Sequence, residues 1–190
     1  MKTISPDYLA EQRRLHEASY GSSAHYWLGH VLELCDIFGI KSVLDYGAGK
    51  GTLGKYLKPF GVHYTPFDPA TFPTRPSGFY DMTVCLDVLE HIEEDYLDAV
   101  FTDIRDHTAK VFFANVATRP SSKTLSDGRN AHICLHDYEW WRPYFKNGWT
   151  GGRVRQQQGA FDIVVIRTPP PAGYRPVPRE QIDRLRGNLP

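Results

Sequence analysis

The sequence has no long apolar run and few cysteines. No uncharged stretch approaches the roughly 20 residues that a membrane-spanning helix needs, and no basic start leads into an apolar N-terminal segment. Three widely spaced cysteines, Cys35, Cys85 and Cys134, do not make a disulfide framework and are typical of buried thiols in a reducing compartment. We therefore expect a cytoplasmic protein that does not enter a membrane.

An excess of charge of either sign is also absent. The chain has 22 basic and 22 acidic side chains, so it has no bulk positive field of the kind that attracts nucleic acid. A nucleic-acid partner would need a local patch, and the few arginines near the C-terminus make only a weak one. We therefore favour a small-molecule partner, and nothing in the sequence indicates the oligomeric state.

Alternating apolar runs and helical patterns predict an α/β fold. The 190 residues suit one domain. The predicted strands cover about 41–46, 62–67, 81–86, 110–116, 153–157 and 160–167, and the predicted helices cover about 5–19, 24–38, 52–58, 93–106 and 137–145. This order predicts a Rossmann-like, doubly wound, mostly parallel sheet. We expect the last two strands to form an antiparallel hairpin and the first two helices to form a lid.

The composition of the chain also indicates the domain boundaries. Residues 1–168 are predicted to form one folded domain, in which 1–40 hold the N-terminal helices. Residues 169–190 are rich in proline and arginine and should form an extended tail with a short helix near 180–186. The polar stretch 117–129 is predicted to be a long loop over the active site, because compact folds reserve such loops for function.

A glycine-rich turn follows the first predicted strand, where Gly47, Gly49 and Gly51 would let a ligand approach the backbone. A dinucleotide-binding turn has a third small residue three positions after the second glycine, where this chain has Thr52. Asp45, two residues before the first glycine, can hold an amino group and would repel a pyrophosphate. The turn therefore predicts a ligand that carries a positive charge.

Together with that turn, two further motifs make the chain resemble the class I S-adenosylmethionine (SAM)-dependent methyltransferases. The motifs are residues 43–51, 64–68 and 80–92, and the resemblance covers about 41–116. It implies SAM as the cofactor, held at Asp45, Gly47, Ala48 and Gly49. It also implies that Asp68, at the end of the second strand, binds the ribose hydroxyls, which fits its charge and position.

The chain departs from this family pattern after the second strand. Only 18 residues separate Asp68 from Asp87, too few for the customary helix and strand, so we expect that piece to be shortened or lost. The residues that usually flank adenine cannot be carried over. Asp87 and Val88, directly after the next strand, are the predicted substitutes.

Candidate catalytic residues follow the same strand. Glu90 and His91 would lie near the transferred methyl group, where an imidazole can take a proton at neutral pH, although a structural hydrogen bond explains this pair equally well. His132, beyond the long loop, would approach from the substrate side. We therefore predict His91 and His132 as general base or acceptor-orienting groups.

The predicted function is methyl transfer from SAM to an oxygen or nitrogen of a small-molecule acceptor. One alternative is a metal-dependent RNA 2′-O-methyltransferase, because Asp87, Glu90 and His91 with two later histidines would make an oxygen and nitrogen site for a divalent cation. Another is a SAM-binding protein without catalytic activity. We assign no metal ligand at this point, since the motif at 87–92 also occurs in many metal-free small-molecule methyltransferases.

Overall fold

Six strands form one sheet in the computed structural model of the chain, which describes residues 2–17 and 21–175. The strands are β1 (Ser42–Tyr46), β2 (His63–Phe67), β3 (Tyr80–Leu86), β4 (Thr108–Ala117), β5 (Gly151–Gln157) and β6 (Ala160–Ile166). Strands β1 and β3 are buried along their whole length, as parallel strands covered on both faces require. The exposed β5 lies at one edge.

The strand order is β2-β1-β3-β4-β6-β5. Neighbours β2–β1, β1–β3 and β3–β4 are parallel, whereas β4–β6 and β6–β5 are antiparallel. The mostly parallel, doubly wound sheet with a C-terminal hairpin is therefore confirmed. Since the chain passes from β2 across β1 to β3, the order reverses beside β1, and ligands bind at the carboxyl ends of strands at such a point.

Helices cover both faces of the sheet. They are α1 (Pro6–Glu17), α2 (Leu28–Ile37), α3 (Thr52–Leu57), α4 (Leu97–His107) and α5 (Tyr138–Trp141). One face packs against α2 and α3 through Val31 and Leu53. The other packs against α4 and the segment around Trp141.

Three predicted helices differ from the observed ones, and the one over 93–106 begins with a 3₁₀ turn (Glu94–Tyr96) before α4. The segment predicted as a helix over 24–38 begins with a 3₁₀ turn (Ser23–Trp27), and α2 follows it. The prediction of a helix over 137–145 is too long, because α5 ends at Trp141. Pro143 accounts for this end because it has no N–H to donate to the carbonyl of Glu139, although Arg142 before it still has helical dihedral angles.

Helix α1 packs on the long loop 118–137 rather than on the sheet. Its buried Tyr8 and Leu15 form a small cluster with Leu125 and Ala131 of that loop. Glu11 accepts hydrogen bonds from the backbone and hydroxyl of Ser126 at the loop tip. The cover is thus made jointly by α1 and the loop, whereas α2, which was also predicted to belong to the lid, packs on the sheet through Val31.

The connection between β2 and β3 is short. Residues 69–79, all described by the structure, contain no helix or strand, and only an isolated bridge joins Asp68 to Phe72. The predicted loss of the customary helix and strand is confirmed, and β2 is left as an edge strand. No helix in the described part of the chain has the length and apolarity to cross a bilayer. The domain boundary at 168 stays a prediction, and the tail helix near 180–186 lies outside the described residues.

Candidate functional site

A cavity of about 370 Å³ opens at the carboxyl ends of β1 and β3. Such a volume lies within the ordinary range for small-molecule and cofactor sites. Its walls include all the predicted site residues except Asp45: Gly47, Ala48, Gly49, Asp68, Asp87, Val88, His91 and His132. Side chains from three motifs and a distant loop therefore meet in one place.

The glycine turn forms the floor of this cavity. Gly47 has φ +83°, and a Cβ there would lie 2.5 Å from the methyl groups of Val88. Gly49 has φ +53°, and a Cβ there would lie 2.5 Å from the carbonyl oxygen of Gly21. That carbonyl also accepts a 2.8 Å hydrogen bond from the Lys50 N–H. Only glycine combines this backbone conformation with such close neighbours.

Asp68 fastens the end of β2 to the glycine turn. Its Oδ1 accepts hydrogen bonds from the backbone of Ala70 at 2.8 Å and Thr71 at 3.2 Å, and its Oδ2 accepts one from Gly49 at 3.1 Å. The carboxylate borders the cavity although it is mostly buried. A ligand hydroxyl would share Oδ2 with the N–H of Gly49.

Asp45 lies beneath the turn and lines neither of the two cavities that meet at Gly47. Its side chain is buried and accepts a 2.7 Å hydrogen bond from the Tyr64 hydroxyl. Burial, together with the nearby charge of Asp68, raises the pKa of the Asp45 carboxyl to about 7. Its direct contact with a bound amino group stays a prediction.

Asp87 links the 3₁₀ turn Ser23–Trp27 to the end of β3. It has φ +61°, a conformation in which aspartate is better tolerated than most residues. Its N–H donates to the Asn115 carbonyl at 3.2 Å, and its Oδ2 accepts from the Ser23 hydroxyl at 3.2 Å. The carboxylate is therefore held facing the segment that covers the cavity.

His91 and His132 meet on one side of the cavity, with ring centroids 4.6 Å apart. Nδ1 of His91 lies 2.7 Å from the carbonyl oxygen of Ala131, and Nδ1 of His132 lies 2.7 Å from that of Arg119. Because a carbonyl only accepts, each Nδ1 donates and the lone pair of each neutral ring is on Nε2. Burial, with the charge of His132, lowers the pKa of His91 to about 4.

Glu90 lies beside these rings and is fully buried. Its Oε1 accepts a 2.8 Å hydrogen bond from the Ala117 N–H. Its Oε2 has no hydrogen-bond partner among the residues that the structure describes. Burial, followed by the charge of Asp87, raises the pKa of Glu90 well above its usual range.

Several residues of the cavity wall were not predicted from the sequence. Gln12 and His16 of α1 line the cavity, as do Ser121, Ser122 and Lys123 of the long loop. Gln12 and His16 are four residues apart, which places them on one face of a helix and was a usable signal. His136, in contrast, does not line the cavity and pairs with Glu94 at 2.7 Å.

Comparisons with known proteins agree with this geometry. A family model described as a methyltransferase domain matches residues 13–164. No curated protein sequence matches the chain.

Solved structures give the same fold at low sequence identity. The Burkholderia thailandensis 1,6-didemethyltoxoflavin-N1-methyltransferase, solved with 1,6-didemethyltoxoflavin and S-adenosylhomocysteine, is 16% identical with a TM-score of 0.60 over 88% of this chain and 92% of its own. The complex of DhpI with S-adenosylhomocysteine is 17% identical, with a TM-score of 0.56 over 90% and 96%. The magnesium protoporphyrin IX methyltransferase of Synechocystis PCC 6803 is 14% identical, with a TM-score of 0.56 over 88% and 90%.

Proposed function

The chain belongs to the methyltransferase-domain family, and we propose that it transfers the methyl group of SAM to an oxygen or nitrogen of a small-molecule acceptor. The predicted membership in the class I SAM-dependent methyltransferases is confirmed. One observation carries the proposal: the glycine turn, Asp68, Asp87, His91 and His132 border a single cavity. The cofactor-binding groups would therefore contact SAM, and the acceptor-facing groups would contact an acceptor bound next to it.

The cofactor half of the site is the glycine turn with the ends of β2 and β3. The backbone of Gly47, Ala48 and Gly49 would contact SAM, and Oδ2 of Asp68 would accept from its ribose. Asp87 and Val88 would flank the adenine. Asp45 would favour the positive ammonium of SAM by its charge from beneath the turn, since its carboxylate is buried there.

The acceptor half is the wall formed by His91 and His132. The sulfonium cofactor is intrinsically reactive, so the protein mainly orients the acceptor and excludes water. An imidazole there can hold the acceptor or take its proton as the new bond forms. Both rings are fixed by their carbonyl partners, which supports an orienting role.

The cover over the cavity supports a small acceptor. Helix α1 and the long loop close it from above, and residues of both line the walls. The Burkholderia thailandensis neighbour, solved with 1,6-didemethyltoxoflavin, is one example of a similar fold with a small bound molecule.

We also propose a reducing compartment such as the cytoplasm. Each of the three cysteines is a free thiol. Burial raises the pKa of Cys35 to about 11 and that of Cys134 to about 12, so these thiols are unreactive.

The test is an assay for S-adenosylhomocysteine release with a panel of small hydroxyl and amine acceptors. We expect turnover with members of the panel and a loss of about 100-fold or more in His132→Ala, since positioned acid–base groups contribute about that much. His136→Ala is the matched control and should keep its activity, because His136 lies outside the cavity. SAM binding without turnover on any acceptor would contradict the proposal, as would turnover confined to RNA.

A further inference from the structure

The strongest cluster of metal-binding side chains lies on the acceptor wall of the cavity. We propose that Glu90, His91 and His132 bind a divalent transition-metal ion of the Mn²⁺, Co²⁺ or Zn²⁺ type. One ligand atom from each of these residues lies within 4.8 Å of the others. That spacing is close to the one required of ligands held about 2.1 Å from a shared ion.

The orientation of the two rings supports a metal site. A metal-binding histidine generally donates its other ring N–H to a carbonyl or carboxylate, which fixes the ring. His91 and His132 both do so, each with a backbone carbonyl 2.7 Å from Nδ1. With Nδ1 donating, the lone pair of each neutral ring is on Nε2, the ring nitrogen that would bind an ion in a site of this kind.

The carboxylate of Glu90 gives a second, independent observation. Its Oε2 is buried with no hydrogen-bond partner among the described residues, which is unfavourable when nothing compensates it. The side chain cannot easily turn away, because Oε1 is held by the Ala117 N–H. The backbone carbonyl of Glu90 also accepts from Cys134, which ties the loop carrying His132 to this turn.

The ligand set indicates the kind of ion. Two imidazoles with one carboxylate suit first-row transition metals better than Mg²⁺ or Ca²⁺, which prefer oxygen ligands. Three protein ligands leave at least one coordination position open. Because His91 and His132 line the cavity, that position would face the acceptor.

This inference rests on the proposed function and gives the acceptor wall a further role, which is to hold the ion. An acceptor hydroxyl bound at the open position would have a lowered pKa and would release its proton to solvent. The oxygen lone pair forms the bond to the methyl carbon, and the pair from the broken carbon–sulfur bond stays on sulfur. The products are a methyl ether and S-adenosylhomocysteine. This arrangement favours oxygen acceptors over amines, and the two histidines act as ligands rather than as bases.

The test is a Mn²⁺ titration of EDTA-treated protein, followed by electron paramagnetic resonance, with Zn²⁺ calorimetry in parallel. We expect a saturable site whose affinity falls by about 10-fold or more in both Glu90→Gln and His132→Ala. Glu90→Gln keeps an oxygen that can accept from Ala117, so it should fold. His136→Ala should keep the affinity within about twofold.

This control is informative because His136 belongs to a second potential metal cluster, with Glu94 and Cys134. Binding lost only in His136→Ala would place the ion at that cluster and overturn the proposal. Absence of Mn²⁺ and Zn²⁺ binding to the wild type would also overturn it. SAM calorimetry in EDTA keeps the two proposals apart: SAM binding without metal binding removes only the metal site, whereas failure to bind SAM removes the proposed function.

Discussion

Replacing Gly49 with alanine should weaken SAM binding by about 100-fold, or about 2.7 kcal/mol. The backbone at Gly49 has φ +53°, where a Cβ costs about 1–2 kcal/mol in most residues. The new methyl group would also lie 2.5 Å from the Gly21 carbonyl oxygen and 2.8 Å from the Gly21 Cα. Since these neighbours are backbone atoms, the turn or the covering segment must shift.

That shift would displace the backbone groups that are proposed to contact the cofactor. The Gly49 N–H donates to Asp68, and the Gly21 carbonyl accepts from Lys50, so a displaced turn weakens both links. Calorimetry with SAM measures the effect, and thermal melting without ligand shows whether the variant is folded. Gly29→Ala is the matched control, because a Cβ on Gly29 in α2 meets no atom within 4 Å. If Gly49→Ala binds SAM with wild-type affinity, the close contact between Gly49 and the Gly21 backbone does not matter for cofactor binding, which contradicts the prediction.

Asp45→Asn should remove a pH dependence of the free energy of unfolding worth about 2–3 kcal/mol between about pH 5 and pH 8. The carboxyl ionises at about 3.9 in an unfolded chain and at about 7 in the folded protein. Between these values the folded state holds a proton that the unfolded state has released. The free energy of unfolding of the wild type therefore falls as the pH rises towards about 7 and changes no further through this group.

Urea unfolding at several pH values measures this difference. Asp45→Asn lacks the titrating group yet keeps an oxygen for the Tyr64 hydroxyl, and Asp36→Asn at an exposed position is the control. Parallel curves for the wild type and Asp45→Asn would contradict the buried, proton-holding carboxyl. If its charge also favours the SAM ammonium, Asp45→Asn should weaken SAM binding by about 10-fold at pH 8 and less at pH 6.

Much of the fold could be predicted because its signals are local. The apolar runs of β1 and β3 and the glycine turn between β1 and α3 each appear within a few residues of sequence. The missing helix and strand followed from a count of residues between Asp68 and Asp87. The early end of α5 was also readable at Pro143, but the aromatic pattern suggested a longer helix.

The arrangement of the site was harder to predict, because it depends on contacts distant in sequence. His132 reaches Glu90 and His91 only through the path of the long loop, which is fixed by the Glu90–Cys134 and Ala131–His91 hydrogen bonds. The sequence also did not reveal that the Asp45 side chain lies beneath the glycine turn, where it accepts a hydrogen bond from Tyr64. Side-chain direction at a strand end depends on the neighbouring strand, which a motif does not reveal.

Parallel calorimetric titrations of the wild-type protein with SAM and with NAD⁺ test the central claim most directly. The account predicts saturable binding of SAM and none of NAD⁺ under the same conditions, because the turn lies over a buried carboxylate that favours a cation and disfavours a pyrophosphate. Binding of NAD⁺ as tight as that of SAM, or no binding of SAM at all, would contradict it.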